Sequence, residues 1–224
     1  TYQLQAWYPH PKDNEPIFLQ MSAYVSKGRV QKDFPQITNT VYVGDNEPVL
    51  VKDGQAYSTK KWLFADDDFL KVVNLPLLEG TTLTAPKTAV ITQEEAIKRF
   101  GTDKVVGKTF TIITRGQRHD FKITGVLKDL PKNSSMEINA ILRFDYNSLY
   151  SETPDFLTKC WGCQSGWVYV KVRPGTDISQ LEAQLREICE QFVFVRKGAV
   201  RQAPSYDALL EGEDVRDYLG KLAN

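Results

Sequence analysis

Cys160-Trp161-Gly162-Cys163 is the spacing in this chain most readily turned to chemistry. Two cysteines three positions apart can hold a metal ion, exchange with a dithiol, or close a small disulfide ring. A zinc site would require further cysteine or histidine ligands at suitable spacing, and none is nearby. A redox pair usually opens a helix that follows a strand, whereas both flanks here read as loop. The favoured reading is a local disulfide in an oxidising compartment, or two idle thiols. Cys189 falls on the apolar face of an expected helix and reads as a small buried hydrophobe.

Nucleophilic catalysis finds little more. Gly162-Cys163-Gln164-Ser165-Gly166 is close to a nucleophile elbow but has its serine one place late. A serine nucleophile also needs a base, and the only histidines are His10 and His119. His10 lies in a Pro-His-Pro loop. His119 sits in an expected strand, with Asp120 beside it on the opposite face. The run from Gly101 to Thr109 imitates a phosphate loop, but five residues separate Gly101 from Gly107 where that motif has four. Its context is also reversed, because a helix leads into a strand and no helix N-terminus faces an anion.

Acidic residues give no better lead. Asp66-Asp67-Asp68 has the oxygens for calcium or magnesium, yet no ladder of spaced ligands surrounds it. The favoured reading has one aspartate capping a helix and the others complementing its positive end. An enzyme using the scattered acids Asp66, Asp129 and Asp145 would need a pKa-shifting partner, and the sequence names none. Asp129 reads as a strand-to-loop residue. Asn133-Ser134-Ser135 matches a glycosylation acceptor, a motif short enough to recur by chance. No catalytic residue, cofactor-binding residue or metal ligand is therefore expected.

The elements around these residues are more legible. Thr92-Gln93-Glu94-Glu95 is a capping box, with the threonine oxygen and glutamate carboxylate expected to satisfy free N–H groups. Ala96, Ile97 and Phe100 form the apolar side of the helix that follows, and Gly101 is its natural left-handed stop. A second helix is expected from Thr176 or Asp177, with Ile178, Leu181, Leu185, Ile188, Cys189 and Phe192 at helical spacing. Shorter helices are expected over 26–34, stopped by Pro35, and after Asp68 through Val73. Residues 109–114 and 119–127 read as a hairpin around Arg115-Gly116-Gln117. Residues 37–43, 49–51, 88–91, 137–144 and 167–172 are further strands, and 131–135 reads as loop. The class is α+β, with a β-rich middle between two βαβ-like ends.

Bulk properties exclude some partners. The 224 residues carry 28 basic and 28 acidic side chains, so no field draws the chain to nucleic acid or an anionic surface. No apolar run approaches the roughly 18 residues of a membrane span. Residue 1 is not methionine and the opening residues are not those of a signal peptide, so the chain reads as a piece of something longer.

From residue 34 to 193 the sequence resembles the MacB-like periplasmic core domain of MacB/FtsX-superfamily ABC transporter permeases. The resemblance runs in family order through Phe69 to Gly80, Thr88 to Ala96, Arg99-Phe100-Gly101 and Val105-Val106-Gly107-Lys108-Thr109. It continues through Phe121 to Pro131 with Asn133-Ser134, then Trp167 to Val172 with Pro174-Gly175 and the Leu181-Leu185 helix. The first 30 residues match loosely. After Phe194 the family's proline-containing strand is reduced to Ala203-Pro204-Ser205-Tyr206 and an acidic tail, Glu211 to Asn224.

The resemblance implies a domain between two membrane helices, with near-adjacent termini, on the periplasmic face of the bacterial inner membrane. A Porter-like βαβ lobe would take residues 1–47 and 137–224, and a mostly β Sabre-like lobe would be inserted at 48–136. The domain would be non-catalytic and would couple cytoplasmic ATP hydrolysis to periplasmic movement, exporting toxins, antibiotics or lipoproteins. Implied partners are an ABC ATPase, a second permease copy and a periplasmic adaptor or outer-membrane protein. No cofactor is implied here, because ATP belongs to the ATPase. The competing reading is a free-standing ligand- or peptide-binding module with Trp7, Trp62, Trp161 and Trp167 lining a pocket. Aromatics more often pack cores.

Overall fold

Two tight turns and a run of buried aromatic residues organise most of the chain. The computed structural model describes residues 1–9, 16–44, 47–83, 85–131, 134, 136–143, 156–160 and 163–185. Its first elements are β1 (Tyr2–Leu4), β2 (Ala6–Pro9), β3 (Pro16–Leu19), β4 (Ser22–Ala23), α1 (Tyr24–Asp33) and β5 (Ile37–Gly44). There follow β6 (Val49–Lys52), β7 (Gln55–Ser58), β8 (Trp62–Ala65), α2 (Phe69–Val73), β9 (Leu77–Gly80), β10 (Thr88–Thr92) and α3 (Gln93–Phe100). The last are β11 (Thr109–Thr114), β12 (Gln117–Leu127), β13 (Ala140–Arg143), α4 (Phe156–Lys159), β14 (Gln164–Val172) and α5 (178–185). Mostly strand with a few short helices, the fold is α+β.

The chain divides into two units, one of Thr1 with Asn39–Pro154 and the other of Tyr2–Thr38 with Asp155–Asn224. The boundaries read from sequence, 47/48 and 136/137, both fall inside the first unit. There β8 pairs with β13 in parallel and with β5 in antiparallel fashion, tying segments from either side of residues 48–136 to a strand within it.

In the first unit the strands run β5-β8-β13-β10-β12-β11-β6-β7, with β9 also on β12. Arg115 and Gly116 have φ of 50° and 76°, the conformations of a type I′ turn, whose twist matches that of the strands it joins. The hairpin loop is thus two residues long, and Gln117 already pairs with Thr114. Asp53 and Gly54, at 51° and 75°, make the same turn between β6 and β7. On β12, His119, Phe121 and Ile123 are buried while Arg118, Asp120 and Lys122 are exposed. The alternation breaks at Thr124. Ala89 pairs with Ile123 and Val90 with Gly125, so Thr124 is the extra residue of a bulge.

The core of this unit is aromatic. Trp62 meets Phe110 edge-on at 5.4 Å between centroids, and Phe110 stacks with Phe121 at 6.1 Å. Phe64 and Phe100 extend the cluster at 6.4 Å from Phe121 and 6.3 Å from Phe110. Trp62, Leu63, Phe64 and Ala65 form one strand that shows no alternation, because both its faces are covered.

In the second unit β14 pairs antiparallel with β1 and β4, and α1 packs on β14 and α4. Ala23, Val30, Phe34, Ile37, Leu157, Val168, Val170 and Leu181 are its buried apolar residues among those described. Helix α1 starts two residues earlier than the sequence suggests, and Pro35 follows its end. Asp177 caps α5 as expected, its Oδ1 accepting from the Gln180 N–H at 3.1 Å. Strands β2 and β3 pair only with each other among the described residues.

Candidate functional site

Helix α3 gathers a polar cluster in the first unit. Its capping box is half formed. The Thr92 hydroxyl oxygen accepts from the Glu95 N–H at 3.3 Å, and Gly101 ends the helix at φ 75°. The Glu95 carboxylate does not fold back to the helix start as expected. It is buried, and Oε1 accepts from the Trp62 indole N–H at 3.0 Å and from Arg99 Nε at 2.7 Å. The Thr92 N–H that a closed box would satisfy already donates to the Asn139 carbonyl at 2.9 Å. The aromatic core lies under the helix, so the carboxylate turns to an indole donor and an i+4 guanidinium. Arg99 Nη2 also donates to the Ser58 carbonyl at 3.0 Å, and Lys52 Nζ donates to the Arg99 carbonyl at 3.0 Å. The network binds α3 to the β6–β7 hairpin and to β8.

Asp129 supplies the cap that Glu95 does not. It lies just beyond β12, as a strand-to-loop residue should, and its Oδ1 accepts from the Glu94 N–H at 2.9 Å. A carboxylate here satisfies a free donor and faces the positive end of the helix. Asp129→Ala should lower the unfolding free energy by about 1 kcal/mol, and Asp129→Asn by less, measured as a shift in urea midpoint.

The aspartate run is dispersed rather than convergent. Asp66 Oδ2 accepts from the Tyr42 N–H at 2.6 Å, Asp67 pairs with Arg143 Nε, and Asp68 pairs with Lys71 Nζ at 2.7 Å. Asp68 holds the N-cap position of α2 but makes no capping hydrogen bond, which corrects the expected cap. Its carboxylate is drawn to Lys71, whose pKa is raised by that hydrogen bond and charge. Among the described residues no group of three or more His, Cys, Asp or Glu side chains could hold a metal ion.

His119 and Asp120 diverge as the strand period requires. The Asp120 carboxylate accepts from the Thr111 hydroxyl at 2.6 Å on the exposed face. His119 is buried, and desolvation, reinforced by the Lys87 charge, holds its pKa below the ordinary value of 6.5. The unfolded chain then binds the proton more tightly than the folded one. Stability attributable to this group is whole above pH 6.5 and falls as pH drops from there through the folded pKa. His119→Gln should flatten that part of the profile, read from urea midpoints at pH steps below neutrality.

Cys160 and Cys163 form a disulfide, with Cα atoms 5.3 Å apart. It closes the segment between α4 and β14. Cys160 follows the C-terminal end of a helix, the opposite of the N-terminal position that activates a thiolate. Trp62 is wholly buried and Trp167 half-buried. Burial raises the pKa of nearby Tyr169. His10, Asn133, Ser135, Asp145, Trp161, Ile188, Cys189, Phe192 and the tail from 194 lie outside the described residues, as do the side chains of Trp7 and Ser165.

Outside these polar groups, two glycines meet at close quarters. Gly80, at φ 83°, pairs with Gly125, and a Cβ on Gly125 would lie 2.6 Å from the Thr81 carbonyl oxygen. Strand β9 reaches β12 at this point because neither residue has a side chain.

Comparison with protein-family models settles the kinship: the model of the MacB-like periplasmic core domain matches residues 7–188. The chain belongs to that family. Among solved structures, this periplasmic core domain is similar to a domain of a protein assigned as a permease in Porphyromonas gingivalis. The TM-score is 0.62 at 22% identity, covering 84% of this chain and 78% of that one. It is also similar to the periplasmic region of MacB from Actinobacillus actinomycetemcomitans, with TM-score 0.58 at 16% identity, covering 86% and 85%. At these identities the likeness is one of fold. No curated protein sequence matches the chain. Among the described residues no helix of this periplasmic core domain is long and apolar enough to cross a membrane.

Proposed function

We propose that this chain is the extracytoplasmic part of an ABC-transporter permease subunit, a domain that transmits movement and performs no chemistry of its own. The observation that carries the reading is the family match over 7–188. The two similar structures, a permease domain and the periplasmic region of MacB, agree with it. In this reading ATP is bound and hydrolysed by a cytoplasmic ATPase, and this domain needs no cofactor. A Porter-like lobe from both chain ends and a Sabre-like lobe from the middle would move when the membrane helices move. The partners would be the ATPase, a second permease copy and an adaptor or outer-membrane protein, and the cargo a toxin, antibiotic or lipoprotein.

Location and coupling can be tested separately in the full-length permease. Lys122 is exposed on β12, so Lys122→Cys in a Cys189→Ser background reports which side the domain faces. A membrane-impermeant maleimide should label it in intact spheroplasts, and labelling only after lysis would place it in the cytoplasm and end the proposal. Deleting the domain should leave ATP hydrolysis by the complex intact while stopping export. Export that survives the deletion would remove the coupling role.

A further inference from the structure

The Cys160–Cys163 bond joins residues only 3 apart in sequence, and so short a ring staples a fold weakly. A cross-link removes chain entropy from the unfolded state as the logarithm of the loop it closes, so the shortest loops contribute least. That coupling is reciprocal: a bond that adds little to the stability of the fold gains little from the fold in return. A long-range disulfide resists reduction because the native structure holds its sulfurs together. This one depends mainly on its own short ring, and its two thiols stay within reach of each other after the bond opens. Opening and reclosure are both favoured, as an exchangeable disulfide requires.

Access and position agree. Cys160 and Cys163 are each half-buried, so an attacking thiolate is not shut out by a closed core. Cys160 stands after the C-terminal end of α4, a place that does not activate a thiol. The pair is therefore suited to be acted on by another dithiol and not to act as an oxidoreductase itself.

The place of the bond gives its opening a consequence. Helix α4 is a single turn, too short to keep its form alone. It packs on α1, and its Leu157 is wholly buried. The disulfide ties the end of α4 to the start of β14, where Gln164 pairs with Ala23 of β4. Ala23 leads directly into α1. The bond thus shortens the covalent path from α4 to the strand pair on which α1 begins.

We propose that Cys160–Cys163 is a redox-controlled clasp, whose exchange with a dithiol reductant loosens α4 from α1 without unfolding the unit. A thiolate of the reductant attacks one of the two sulfurs, the S–S bond breaks, and the departing thiolate takes a proton. The reductant's second thiolate attacks the mixed disulfide and frees the other cysteine, which is protonated in turn. Two electrons and two protons pass to the cysteines, and the reductant is left as a disulfide. The inference does not rest on the transporter reading.

The test uses the whole chain in a Cys189→Ser background, treated without denaturant with about 1 mM dithiothreitol and quenched with a maleimide. Both remaining cysteines should be labelled, and thermal unfolding should stay cooperative. Hydrogen exchange of the segment 156–160 should quicken at least about tenfold on reduction, while that of Val168 and Val170 stays as it was. Removing the reductant and adding oxidised glutathione should restore both the bond and the protection. Cys160→Ser with Cys163→Ser should exchange quickly over 156–160 from the outset and show no response to dithiothreitol. A bond that opens only in denaturant is a staple and overturns the proposal, as does reduction that unfolds the chain. Reduction that leaves 156–160 as protected as before overturns it equally. Should the double serine variant fail to fold, the reduced Cys189→Ser chain decides alone.

Discussion

Gly80→Ala should cost the first unit about 3 kcal/mol, the sum of a left-handed backbone cost of roughly 1–2 and overpacking of roughly 1–3. Gly80 has φ 83°, and its Cβ would lie 2.8 Å from the Gly125 Cα and 3.0 Å from the Thr124 carbonyl carbon. The obstructing atoms are backbone, so no rotamer change relieves them. Nor can the strands separate freely, because the Thr81 N–H donates to the Thr124 carbonyl at 2.7 Å beside the contact. The measurement is urea denaturation with an unchanged m-value, so that a shifted midpoint reports stability. Gly116→Ala is the control. It shares a positive φ of 76° but has nothing within 4 Å of its Cβ, and should lose about 1 kcal/mol. Equal losses at the two sites would mean that close approach contributes nothing.

The same pair shows what a sequence reveals. Gly125 invites the reading of a bulge or close approach, and both occur there. Its partner Gly80 lies 45 positions earlier by residue number, and no local pattern says that the two meet. Local chemistry was legible wherever the partner lies within a turn. Thr92 capping Glu95, Gly101 ending α3 and the 109–127 hairpin are examples. Asp53-Gly54 carried an equally plain hairpin signal, unread because β7 has no buried face to give it a period. Strand β8 went unread for the opposite reason, being covered on both sides.

The candidate site was less legible than the fold because side-chain choice is a competition settled in three dimensions. Asp68 stands where a cap belongs and turns to Lys71. Asp66 reaches the backbone of Tyr42 on a neighbouring strand, and Asp67 reaches Arg143. Three adjacent carboxylates that suggest a cation site thus point to three separate partners. Asp129 is the converse case, a loop residue by sequence that becomes the cap of a helix 35 residues away. What the family resemblance added was the identity of the domain. Spacing and composition alone gave no active site and could not name a role.

Glu95 offers the second large effect, and it separates a buried charge from the hydrogen bonds the charge makes. Glu95→Ala leaves the Trp62 N–H and the Arg99 guanidinium without their shared acceptor beneath α3, and should lose about 3–5 kcal/mol. Glu95→Gln retains an oxygen for the indole but no charge for Arg99, and should lose roughly half as much. Lys98, 3.7 Å away with its side chain 62% exposed, contributes little in either case. The decisive comparison is a double-mutant cycle of Glu95→Leu and Arg99→Leu. Each single variant strands a buried or half-buried partner. In the double variant the Trp62 N–H is left unpaired in the core, and the Ser58 carbonyl that Arg99 served is exposed to water. The double variant should therefore lie well above the sum of the singles in stability. Additive losses would show that the two side chains act separately and that the aromatic core, rather than the ion pair, holds α3 to the sheet.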